Sequence, residues 1–154
     1  MASVVKSIEV NVPVQTAYNQ WTQFEEFPQF MEGVKEVKQL DDARLHWKVA
    51  IANKDEEWDA EITAQVPDKR IAWRSISGVQ NAGTVTFHPI ADNTTEVHLL
   101  MEYDPKGFVE SVGDALGMVS SRVEGDLKRF KEFIEGRGTE TGAWRGQIQS
   151  GEVQ

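Results

Sequence analysis

Apolar and polar residues alternate along most of the chain between Val34 and Tyr103, and a two-residue period of this kind predicts strands. Turn signals at Asp41-Asp42, Asn53-Lys54-Asp55, Pro67-Asp68-Lys69, Ser77-Gly78 and Asp92-Asn93 divide the stretch. Six segments result, near 34–40, 43–52, 56–66, 69–77, 82–90 and 94–103. The short connections imply an antiparallel meander. Residues 4–12 alternate too, with Val4, Ile8, Val10 and Val12 on one parity and Lys6 interrupting, which predicts a seventh strand. Pro13 then suits the first turn of a helix whose apolar face is Val14, Ala17, Tyr18 and Trp21. Thr22-Gln23-Phe24-Glu25 matches a capping box and starts a second short helical piece. That piece presents Phe24, Phe27, Phe30 and Met31, with Pro28 breaking its regularity; the three phenylalanines read equally as a lid or as a staple.

After Asp104-Pro105-Lys106-Gly107 the period changes. Phe108, Val112, Leu116, Val119, Val123, Leu127, Phe130 and Ile134 recur at three- and four-residue steps, which predicts one long amphipathic helix ended by Gly136 and Gly138. The remainder is rich in Gly, Thr and Gln, with Trp144 as its one large apolar residue, and reads as a mobile tail. The division is therefore a single domain over 1–136 and a flexible Gly-rich tail over 137–154. A one-sided sheet must cover its apolar face, and only the last helix is long enough to do so. The predicted fold is α+β: seven curved antiparallel strands wrapped around a long C-terminal helix, with two short helices after the first strand.

Composition narrows the function. The chain has 154 residues, 25 acidic against 16 basic, a formal charge of −9 and no cysteine. A domain of this size buries enough surface to fold without a staple. Lack of cysteine excludes disulfides, thiolate metal sites and thiol nucleophiles. The charge, without Lys/Arg clusters, argues against nucleic acid and anionic membranes as partners. No apolar run is long enough to span a bilayer and the first residues lack a signal-peptide pattern, so a cytoplasmic protein is expected.

Particular stretches carry a likeness. Val10-Asn11-Val12-Pro13-Val14 leads to Ala17-Tyr18-Asn19-Gln20-Trp21 and Phe27-Pro28-Gln29-Phe30-Met31. Glu57 to Ile62, Arg70 to Ser75, Gly83 to Phe87 and Asp126 to Phe130 follow. With these the chain resembles the SRPBCC, or START-like, helix-grip superfamily, which includes the birch pollen allergens. Within it the likeness is to the polyketide cyclase/dehydrase and coenzyme Q-binding branch, over residues 3 to about 136. The resemblance implies a cavity between sheet and helix that holds a hydrophobic small molecule. Members of the superfamily include lipid carriers, quinone-binding proteins and cyclases, so the site must decide.

Parity assigns the faces independently. Leu45, Trp47, Val49 and Ile51; Trp58, Ala60, Ile62, Ala64 and Val66; Ile71 and Trp73; Val85 and Phe87; and Val97, Leu99, Met101 and Tyr103 form the face that grips the helix. The other parity carries His46, His88 and His98, nearly all strand carboxylates, Asp59 and Glu61 included, and the amide of Gln65. No strand acid or base then reaches an interior ligand. The histidines lack metal-ligand spacing, and Asp59 and Glu61 read as surface ion-pair partners of Lys48 and Arg74. Inward polar groups are few: the three indoles, Tyr103, Ser75, Ser77 and Tyr18. Any one Trp serves as core filling, but three on one concave face read as pocket lining.

The candidate ligand-binding residues are Tyr18, Trp47, Val49, Trp58, Ile62, Trp73, Phe87, Leu99, Met101, Tyr103, Val112, Leu116 and Val119. Gly113, Ala115 and Gly117 leave room beside the helix, and Met101 and Met118 offer an adaptable wall. No catalytic residue, metal or cofactor is assigned. The expected activity is binding of a lipid, quinone or polyketide-like compound. The alternative is a cyclase/dehydrase-type enzyme with Arg74 and Tyr103 as first suspects, and a partner-binding module using the Trp144 tail is a third. Monomer and homodimer both stay open.

Overall fold

A computed structural model describes residues 2–51, 54–104 and 115–154. Strand β1 (Ala2–Val10) leads into helix α1 (Val14–Trp21) and a short 3₁₀ helix, Phe24–Gln29. The meander follows as β2 (Val34–Asp41), β3 (Arg44–Ile51), β4 (Lys54–Val66), β5 (Arg70–Ser75), β6 (Asn81–Ala91) and β7 (Thr94–Tyr103). Helix α2 (Ala115–Arg137) precedes two short strands, β8 (Ile148–Gln149) and β9 (Glu152–Val153). The sheet order is β1-β7-β6-β5-β4-β3-β2, antiparallel throughout. This is the predicted α+β architecture, extended by β8 on β4 and β9 on β8.

Alternation sets the faces with two departures. The register slips between Ile62 and Ala64, so the rest of β4 changes face and Gln65, read as solvent-facing, is 1% exposed. Ala64 and Val66, read as inward, are only half-buried. Ser77, also read as inward, lies beyond the end of β5 and is exposed; its Oγ accepts the Asp59 N–H at 2.9 Å. The period-two rule stops where the ladder stops.

The stripe Val123, Leu127, Phe130 and Ile134 of α2 is buried against the sheet. Lys6, the interruption in β1, faces this helix and pairs with Glu124 at 3.8 Å. Gly136 stays inside α2, and the last turn closes when the Gly138 N–H donates to the Ile134 carbonyl at 2.9 Å. The predicted helix start from Phe108, with Val112 and Gly113, lies outside the described residues. Phe24, Phe27 and Phe30 are buried against Trp21, Trp73 and Phe130, so they staple the short helices into the core. Thr22 does not cap the second piece. Its hydroxyl donates back to the Asn19 carbonyl at 2.6 Å and accepts the Trp144 N–H at 3.1 Å.

That last bond belongs to a run of contacts that fixes the segment read as a mobile tail. Asn19 donates to Glu140 and accepts from Arg145; Gln20 and Thr141 exchange two bonds; Arg145 also reaches Asp68 at 2.8 Å. The Arg145 guanidinium lies 5.6 Å over the Tyr18 ring. Ile148 is fully buried, and β8 pairs with Ala64 and Gln65, where β4 runs past β3. The segment is thus a strap. Its polar composition hid this because its partners are polar side chains rather than a core stripe.

Candidate functional site

The sheet and α2 do not close completely on each other. Between them lies a cavity of about 100 Å³, the size class of a single ring. Trp47 and Val49 of β3, Trp58 of β4, Trp73 of β5, and Leu99 and Met101 of β7 line it from the sheet. Met118, Val119, Arg122, Val123 and Asp126 line it from the helix, with Met31, Glu32, Val34 and Asn81 around them.

The tryptophans form one aromatic wall. Trp47 and Trp58 are direct cross-strand partners, with rings 6.4 Å apart at 14°. Trp73 stacks on the other side of Trp47 at 6.0 Å and 26°. Gly83 lies opposite Trp73 in the ladder, and a Cβ there would meet the indole Cζ2 at 2.4 Å. Its missing side chain is what lets the ring lie flat on β6. The Trp47 Nε1–H is buried with no hydrogen-bond partner among the described residues. A buried donor left unmade is costly, which makes it available to an acceptor on a bound molecule.

Of the expected residues, Trp47, Val49, Trp58, Trp73, Leu99, Met101 and Val119 line the cavity, as does Met118. Ile62, Phe87 and Tyr103 are buried but are not among the described lining residues. Tyr18 sits beneath the strap, edge-on to Phe87 at 5.5 Å; burial pushes its phenol up to about 12, with the Gln65 amide offsetting only part. Val112 and the Leu116 side chain lie outside the described residues. Arg74 points outward and pairs with Glu61 at 3.6 Å.

The strand-face reading missed a polar cluster at the cavity edge. Asp126 is 8% exposed, and burial raises its carboxyl to about 6. The Arg129 guanidinium donates to Asp126 Oδ1 at 2.5 Å and reaches Glu32 at 3.5 Å, while the Glu32 N–H donates to the same oxygen at 3.1 Å. Arg122, one turn before Asp126, donates to the Ala50 carbonyl at 3.1 Å. The signal was in the helix period: Asp126 falls three residues after Val123 and four before Phe130, on the buried stripe.

The outer face holds the histidines. His46 bonds Asp59 at 2.6 Å and Glu57 at 3.0 Å, and the hydrogen bond its ring donates to Asp59 is the main reason its pKa is raised. Asp59 thus pairs with His46 rather than Lys48. His98 bonds Glu96, with His88 edge-on at 5.0 Å. Among the described residues, no group of three or more His, Asp or Glu is placed to hold a metal.

One long helix gripped by a curved antiparallel sheet, with an apolar cavity between them, defines a helix-grip protein of the START-like class. The chain belongs to the polyketide cyclase/dehydrase and lipid transport family, whose model matches residues 10–132. It is 53% identical over 149 residues to an uncharacterized 17.2 kDa protein of Streptomyces lincolnensis, covering 96% of this chain and 99% of that one. Among solved structures, a Deinococcus radiodurans protein is similar at 31% identity and TM-score 0.70, over 88% of this chain and 99% of that one. The Zhui aromatase/cyclase of a Streptomyces species shares the fold at TM-score 0.71 and 16% identity, over 93% of this chain and 99% of that one. No described helix is long and apolar enough to cross a membrane.

Proposed function

We propose that the protein binds a hydrophobic small molecule, with an aromatic portion, in the cavity between sheet and α2. The observation that carries this reading is the stacked wall of Trp47, Trp58 and Trp73 with a Trp47 indole N–H that has no partner among the described residues. Apolar walls with one or two oriented donors are the usual make-up of small-molecule sites. The methionines Met31, Met101 and Met118 give a wall that can yield to a ligand larger than the present cavity. Native mass spectrometry of gently purified protein is expected to show a co-purifying organic molecule, or a one-to-one adduct from a panel of lipids, quinones and polycyclic aromatics. Absence of any adduct across the panel contradicts the reading.

A second reading is an enzyme of the cyclase/dehydrase kind. Asp126 supports it: a buried carboxyl at the cavity with a pKa of about 6 is poised for proton transfer near neutrality, and the Arg122 cation lies one turn away. Arg74, first suspected from the likeness, has no part in it.

A further inference from the structure

Three charged side chains line the cavity, Glu32, Arg122 and Asp126, and Arg129 behind them pairs with two of these. Arg129 engages both Asp126 and Glu32, and the Glu32 backbone completes the set. Arg122 is left over. Among the described residues it donates one hydrogen bond, to the Ala50 carbonyl, and forms no ion pair, with Asp126 acting on it only at longer range. A guanidinium has five N–H donors and keeps its proton, so most of its capacity is unspent. The backbone is shaped to seat it: Gly33 has φ +89°, and a Cβ there would lie 2.3 Å from Arg122 Nη1. A half-buried cation held in place beside apolar walls, with unspent donors and only the Asp126 carboxylate as a charged neighbour among the described residues, can receive an anion.

We propose that Arg122 anchors the carboxylate of a compact aromatic acid whose ring packs on the Trp47–Trp58 wall. This rests on the cavity being a ligand site and names the class of ligand. A cavity of about 100 Å³ between stacked indoles holds a ring as it stands, and the methionine wall can yield for a second. Among the described residues, the charged groups that share the cavity with Arg122 are Asp126 of α2 and Glu32 before β2, with Arg129 bonded to both, while the histidines lie on the far face of the sheet. An anion beside Asp126 disfavours its charged form, so binding takes up a proton. Affinity for the acid then rises as pH falls from about 8 to about 6, a range in which the ligand's own carboxyl stays ionised.

Benzoic and 2-naphthoic acids, each against its amide, test this by calorimetry and tryptophan fluorescence on the full chain. The acids are expected to bind roughly tenfold or more tightly than the amides, with the preference growing at the lower pH. Arg122→Met removes the preference and Arg122→Lys keeps part of it. Equal binding of acid and amide, or a preference that survives Arg122→Met, overturns the anchor and leaves the hydrophobic-site reading standing. Failure of all four compounds to bind overturns the aromatic-acid class, and the hydrophobic-site reading falls only if the wider panel of lipids, quinones and polycyclic aromatics also gives no adduct. If Arg122→Met does not fold by circular dichroism, the acid–amide comparison in the native chain decides alone.

Discussion

At the scale of single residues, Asp126 shows how burial and partners compete. Loss of solvation raises its pKa, and the Arg129 guanidinium and Glu32 N–H bring it only part of the way back. An acid whose pKa is raised on folding holds more protons in the folded chain than in the unfolded one between the ordinary carboxylate range and about 6. Its contribution to stability therefore falls as pH rises through that window. The ionised carboxylate costs the fold at most about 3 kcal/mol above the window. Asp126→Asn is expected to raise the thermal midpoint at pH 8 relative to the native chain and to do little at pH 4. A midpoint lowered more at pH 8 than at pH 4 would show that the bond to Arg129 outweighs burial. Glycine matters at this scale in two places, Gly33 seating Arg122 and Gly83 letting Trp73 lie flat.

At the scale of elements, the strands were legible because one face is buried and a one-residue slip would expose it. The slip that does occur in β4 shows where that rule ends. Gln65 turns inward after the irregularity at Ile62/Ala64, and no alternation pattern announces a bulge. The strap was illegible for another reason. Asn19 and Gln20 read as the polar side of an amphipathic helix and Thr22 as a cap, yet Asn19 and Gln20 each bond the strap twice and Thr22 once. Only Ile148 and Trp144 add apolar weight. Ile148→Ala is expected to cost about 2–4 kcal/mol, the range for a fully buried aliphatic side chain. Urea unfolding measures it, and a cost below about 0.5 kcal/mol would mean that the strap does not stay docked in solution.

At the scale of the whole molecule, sheet, helix and cavity follow from one division of the chain. The parity that buries Trp47, Trp58 and Trp73 sends His46, His88, His98 and most strand carboxylates to solvent, where much of the −9 charge resides. Half of the cavity was therefore readable from strand parity, its aromatic wall above all. The other half was not, because Asp126 and Arg122 are charged residues on a helix whose buried stripe is otherwise apolar. The five tryptophans provide the most direct test: three line the cavity, while Trp21 lies in the aromatic core and Trp144 in the strap. Titrating the protein with 2-naphthoic acid and its amide while following the five indole N–H resonances by NMR reads all of them at once. The account predicts that Trp47, Trp58 and Trp73 shift together and saturate while Trp21 and Trp144 stay in place. Shifts confined to Trp144, or none in the three wall signals across the compound panel, would contradict it.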